Sequence, residues 1–178
     1  MEDQNAQSEK VTTRTVGIRY GLMMAVISIA FFVIMNVAGL DMQGPVGYLG
    51  WVITAVMLFL AHKYYKEQGD GFMSVGQGTG IGFWAGTISS VISSIFTYVY
   101  IKFIDDSFLQ AIKDKQMEAM EKQGLSDEQI EQSMKIAGVF TSPEAILGFG
   151  IVGGIVVAVL IALVISLFTK NVNPDLEV

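Results

Sequence analysis

The sequence predicts an all-α membrane protein with four transmembrane helices and an extracytoplasmic helical hairpin between spans three and four. Three observations predict it. Four long stretches contain no Asp, Glu, Lys or Arg. Hydrophobic residues make up 52% of the 178-residue chain and charged residues only 16%, against about a quarter charged in a soluble domain. The one long charged interval, residues 105–142, has the spacing of amphipathic helices. About 20 apolar residues at about 1.5 Å rise cross a hydrocarbon core of about 30 Å. Inside lipid every backbone amide needs an internal partner, so such stretches form helices. Barrel strands would alternate polar and apolar residues, and these stretches do not.

Residues 1–15 are polar and read as a disordered tail. Lys10, Arg14 and Arg19 before an apolar run evoke a signal peptide. The run from Tyr20 to Leu40 is about twice as long as a signal's apolar region, and no small-residue cleavage site closes it. It reads as a retained first span, about residues 19–40. The second span covers about 46–65, with Pro45 at its start and Trp51 near an interface. The third uncharged stretch runs from Gly71 to Ile101, longer than one crossing needs. The span is set at about 78–103, crossing mainly from Ile81, with Gly76 to Gly80 near one interface and Lys102 snorkelling at the other. The fourth covers about 144–168, bracketed by Glu144 and Lys170. Tyr48, Tyr64, Tyr65, Trp84 and Tyr100 read as interfacial anchors. Residues 16–170 then form one transmembrane domain, and 171–178 a C-terminal tail.

Lys and Arg near the span ends set the orientation. The N-terminal tail carries three, the first loop none, the second loop Lys63 and Lys66, and the C-terminal tail Lys170. Both termini are expected in the cytoplasm. Residues 105–142 hold four lysines against eight acids, a net of −4. The first hairpin helix is expected from about Asp106 to Lys122, with Leu109, Ile112, Gln116 and Ala119 on one face and Gly124 ending it. Ser126 and Gln129 form a capping-box pair for the second, whose apolar face is Ile130, Met134 and Ala137. Pro143 after Ser142 starts the last span. The hairpin serves either as a connector packed on the span ends or as a docking element for a membrane or extracytoplasmic protein. Its acidity argues against an anchor for anionic lipid.

The most specific pattern is a spacing of four. Gly78, Gly82, Gly86, Ser90 and Ser94 form one ladder of small residues, and Gly150, Gly154, Ala158, Ala162 and Ser166 form a second. Small residues four apart share a helix face and let a second backbone approach closely. Each step of four turns the stripe by about 40°. The ladders suit antiparallel packing of spans three and four in one chain, a homo-oligomer, or a polar, water-filled path. Ser89, Ser93 and Thr97 add hydroxyls beside them. No ionisable residue lies deep in a span, as an ion or proton pathway usually requires.

Other signals carry little. The net charge of −6 offers no basic stripe for nucleic acid. The chain has no cysteine and one histidine, so neither a metal site nor a cofactor is expected. Gly76 to Gly82 lack the closing lysine followed by Ser or Thr of a phosphate loop, and neither a preceding strand nor a ribose-binding acid makes a dinucleotide fingerprint. His62, beside Lys63, reads as an interfacial side chain. It is expected near the cytoplasmic end and the Ser89 to Ser94 cluster nearer the other, so no nucleophile–base pair is visible and no catalytic residue is assigned.

The stretch KYYKEQGDGFMSVGQGTGIG, Lys63 to Gly82, resembles the lead into the third span of the DUF4199-type family of small four-span bacterial membrane proteins of unknown function. SSIFTYVYIKFIDDSF, Ser93 to Phe108, and KQMEAMEKQGLSDEQIEQSMK, Lys115 to Lys135, resemble its third-span exit and its Met/Glu-rich hairpin. The resemblance spans nearly the whole chain after the tail. It implies the inner membrane of a Gram-negative bacterium and no activity or catalytic residue that carries over. The expected function is a non-enzymatic accessory or scaffold protein of the bilayer, the rival a small oligomeric transporter or channel subunit.

Overall fold

A computed structural model describes residues 11–42 and 44–172. Helix α1 spans Thr13–Val37. It starts at Thr12, whose hydroxyl accepts from the Thr15 amide at 3.1 Å while the Thr15 hydroxyl accepts from the Thr12 amide at 3.0 Å. This reciprocal cap satisfies two amides that a helix start leaves open. It corrects the expected tail, because residues 13–15 are helical; residues 1–10 of that tail lie outside the described residues. The helix stops at Gly39, whose φ of 63° suits glycine.

Pro45 opens a short 3-10 turn, Pro45–Tyr48, which runs on into α2, Leu49–Gln68. Helix α3 covers Val75–Phe103. Ser74 and Gln77 cap it reciprocally, at 3.2 and 2.7 Å, so Gly76 to Gly80 form its first turns. Its 29 residues measure about 43 Å at 1.5 Å per residue, longer than the bilayer core. Two shorter helices follow, α4 at Ser107–Lys122 and α5 at Asp127–Phe140. Gly124, with φ 76°, turns the chain between them. The Ser126–Gln129 capping box starts α5. Helix α6, Pro143–Thr169, is capped by Ser142 with Pro143 in its first turn.

Four of these helical segments are long and apolar enough to cross a membrane: Thr13–Val37, Pro45–Gln68, Val75–Phe103 and Pro143–Thr169. The protein is a multi-pass membrane protein. Helix α3 packs on α6 and on α1, and α2 closes the ring against α6 and α1. Most large apolar side chains face outward, among them Val26, Val52, Phe59, Val152 and Leu160. Water would not tolerate so wide an apolar belt, whereas lipid tails match it.

Three buried clusters stack along the bundle. Val16, Ala61, Met73 and Ile81 lie where α1 begins and α6 ends, the terminal end. Met24, Met57, Leu58, Ala85 and Ala162 fill the middle. Phe32, Tyr100, Ile101 and Leu109 fill the opposite end, under α4. This last cluster corrects one expected anchor. Tyr100 is buried, its ring edge-on to Phe32 with centroids 5.3 Å apart. Tyr48 and Trp51 remain exposed.

Candidate functional site

The two ladders meet rung by rung. Positions 78, 82, 86, 90 and 94 of α3 face 166, 162, 158, 154 and 150 of α6, which fixes the two helices antiparallel. Each rung holds one glycine against one Ala or Ser. A Cβ added at Gly82 would collide with the Ala162 Cβ and come within 3.2 Å of the Ala158 carbonyl oxygen. At Gly86 it would strike Ala158, and at Gly78 Ser166. The glycine then changes helix. Gly154 faces Ser90, with the Ser90 Cβ 3.0 Å from where its own Cβ would stand, and Gly150 faces Ser94. Gly148 and Gly153, off the stripe, have open space around them.

A second seam joins α1 to the other side of α3. A Cβ at Gly17 would collide with Trp84 and reach 3.0 Å from the Ile81 oxygen. At Gly21 it would stand 2.8 Å from the Ala85 oxygen and 2.9 Å from the Ile88 Cβ. Ala25, four residues on, is buried too. This spacing of four is visible in the sequence. It escapes notice because Gly17 precedes the expected start of the first span.

At the terminal end a polar knot replaces the expected interfacial histidine. His62 is fully buried. Its Nε2 lies 3.0 Å from the Gly78 oxygen and its Nδ1 3.0 Å from the Thr169 hydroxyl. The Gly78 oxygen only accepts, so Nε2 carries a proton. Lys66 Nζ donates to the Thr169 oxygen at 2.9 Å. Met73 and Asn171 exchange two backbone hydrogen bonds, at 2.7 and 2.9 Å, and the Asn171 side chain donates to the Gly71 oxygen. His62 is buried because Gly78 has no side chain to fill the space its ring occupies; its Cε1 stands 3.1 Å from where that Cβ would be.

Between the seam and α2 lies a cavity of about 150 Å³ to which all four spans contribute. Met24 and Ser28 come from α1, Thr54 from α2, Ser89, Ser90 and Ser93 from α3, and a Gly-rich wall from α6. A neighbouring cavity of about 260 Å³ shares Ser28 and Ser93 with it and reaches Thr97, Gly47 and Met42, toward the loop end. The Ser93 hydroxyl donates to the Ser89 oxygen at 2.7 Å and Thr54 to the Gly50 oxygen at 2.9 Å. The Ser28, Ser89 and Ser90 hydroxyls bond to no described residue, although Ser89 and Ser90 are only 6% and 7% exposed. Ser89 lies about 16 Å along α3 from Gly78, the contact of His62. Among the described residues no three His, Asp or Glu side chains gather as a metal site.

The loop end is closed by α4. Asn36 Nδ2 donates to Asp105 Oδ2 at 2.9 Å and to the Tyr100 hydroxyl at 3.2 Å. Lys115 pairs with Asp41. A groove of about 270 Å³ runs between α4 and the first loop, past Asn36, Leu40 and Phe108. The Ser107 amide, then its hydroxyl and Asn36, hold the Asp105 carboxyl below the ordinary Asp range. Lys102 ties the end of α3 to Glu144 at the start of α6, at 2.6 Å.

The family model described as "Protein of unknown function (DUF4199)" matches residues 19–171, and the chain belongs to that family. No curated protein and no solved structure matches it.

Gly82→Leu should lower stability by roughly 1–3 kcal/mol through overpacking, whereas Gly153→Ala should stay within about 0.5 kcal/mol. Thermal unfolding of the two purified variants in one detergent checks the difference. Stability should also depend on Asp105. Its carboxyl is held lower in the folded state, so the stability it adds is present above the unfolded Asp pKa and is lost as pH falls through the folded value. Melting scans from pH 7 down to about pH 3 should show a decline that is smaller in Asp105→Asn.

Proposed function

We propose that this DUF4199 protein is a non-enzymatic accessory component of a membrane assembly, and that its α4–α5 segment docks a second membrane protein. In this reading it sits in the cytoplasmic membrane with both termini inside, the orientation the Lys and Arg distribution favours. The supporting observation is an apolar ridge on α5. Ile136, Val139 and Phe140 are 66%, 68% and 59% exposed, while Ile130 on the opposite side of α5 is 9% exposed. The helix therefore has two apolar sides and the fold covers one.

The position of the ridge favours a partner in the same bilayer. The Phe140 ring stacks on Phe149, which lies on the outward face of α6, with centroids 6.4 Å apart. The ridge thus continues the belt that faces lipid. Asp127, Glu128 and Glu131 are exposed beyond it, so basic side chains above an apolar interfacial strip complement it. The small-residue ladders support no homo-oligomer, because each stripe is already occupied inside one chain. That removes the support which the rival reading, an oligomeric transporter or channel subunit, drew from them.

Gentle extraction at natural expression should yield a complex with a different polypeptide at fixed stoichiometry. Changing Ile136, Val139 and Phe140 together to Ser should weaken it by more than about 2 kcal/mol and leave the melting temperature of the bundle unchanged. A complex of unaltered mass and composition in the triple variant would sink the docking reading. So would recovery of the wild type as a partner-free monomer.

A further inference from the structure

The cavity shared by the four spans has features that packing alone does not explain. A span core can fill such a space with Leu, Val or Phe, and the outward faces of these helices carry them in number. Instead five hydroxyl side chains from three helices converge on it: Ser28, Thr54, Ser89, Ser90 and Ser93. Ser93 and Thr54 return their protons to carbonyls one turn back, which leaves each oxygen as an acceptor toward the cavity. The Ser28, Ser89 and Ser90 hydroxyls have no partner among the described residues, so each offers a proton and lone pairs. Ser89 and Ser90 are more than nine-tenths buried, yet their hydroxyl oxygens keep accessible surface, on the cavity they line. The opposite wall is Gly150, Gly154, Val157 and Ala158, without a polar side chain.

We propose that this cavity is a binding site for a small uncharged polyol. The lining selects the class. No Asp, Glu, Lys, Arg or His borders either compartment, so a charged ligand would be desolvated without compensation. A wholly apolar ligand would leave the hydroxyls unpaired. A hydroxyl group both donates and accepts, which matches a wall that holds spent donors beside free ones. The molecule's hydrocarbon edge then lies along the glycine and alanine wall of α6. The combined compartments reach toward Met42 and Gly47 at the loop end. Toward the other end Met57, Leu58, Ala85 and Ala162 close the bundle. No residue of α5 lines either compartment, so the site stands apart from whatever docks there.

Saturation-transfer NMR on the full-length protein, purified in detergent free of polyols, tests this with glycerol as probe. Saturable transfer to glycerol is expected, at least tenfold weaker for propan-1-ol and for glycerol 3-phosphate. Ser28→Ala and Ser89→Ala lie on different helices and outside the facing rungs, so each should fold with an unchanged melting temperature. Each should weaken glycerol by roughly three- to tenfold, the worth of one hydrogen bond. Non-saturable transfer, an unchanged signal in both variants, or a preference for glycerol 3-phosphate overturns the assignment. Faster water exchange in proteoliposomes without saturable glycerol binding also overturns it, since the cavity would then be only hydrated.

Discussion

The approach of the α3 and α6 backbones is the constraint on which the rest of the structure depends. In lipid, apolar side chains gain little by meeting one another, so helices associate through close van der Waals contact. The five rungs from Gly78–Ser166 to Ser94–Gly150 provide it by placing a glycine on one side of every rung. A four-residue stripe turns by about 40° per step, so contact at all five requires the axes to cross rather than run parallel. Once α3 is pinned on α6, its other side meets α1 through Gly17 and Gly21. Helix α3 is therefore small-faced on two sides, which is why it carries five glycines and four serines and is the least hydropathic of the four spans.

Between rungs 86 and 90 the glycine changes helix and its partner changes from alanine to serine. At rungs 82 and 86 the partner is alanine, and Ser166 stands opposite Gly78 at the terminal end. At rungs 90 and 94 the partner is serine and the glycine stands on α6. Small residues on both walls leave volume unfilled, and hydroxyls make that volume polar. The cavity follows from this half of the seam, with Ser28 and Thr54 contributed from across the bundle. Serines in helices commonly return their proton to a carbonyl one turn back. Ser93 does so and Ser89 and Ser90 do not, so the lining holds both kinds of serine.

The spans, both ladders and the caps at Ser126, Ser142 and Gly124 were legible because each depends on residues close in sequence. The positions that misled all depend on a distant partner. His62 reads as a surface residue beside Lys63, yet the missing side chain at Gly78 and the hydroxyl of Thr169 make room for its ring inside. Tyr100 reads as an interfacial anchor until α4 folds over it with Leu109 and Phe108. Thr12 and Thr15 look like part of a polar tail, although their reciprocal cap extends α1. The serine cluster was visible, but the cavity was not, since its walls come from four helices whose neighbours no local pattern specifies.

The two ends of the bundle are closed by different means. At the terminal end His62, Lys66, Gly78, Thr169 and Asn171 tie three spans and their connection together by hydrogen bonds, several of them shielded from water. Thr169 has one proton, and both Ile165 oxygen and His62 Nδ1 stand 3.0 Å from its hydroxyl. Given to His62 Nδ1, that proton holds the last turn of α6 against α2; given to the Ile165 oxygen, it stays within α6. At the loop end the closure is one helix, α4, held by Leu109, by the Asn36–Asp105 bond and by the Lys115–Asp41 pair. That pair's side chains are 41% and 51% exposed, and such pairs contribute only about 0.2–1 kcal/mol. Leu109 and Phe108 of α4 pack on the buried Phe32, Tyr100 and Ile101 cluster, so apolar contact carries more of this closure than the ion pair does.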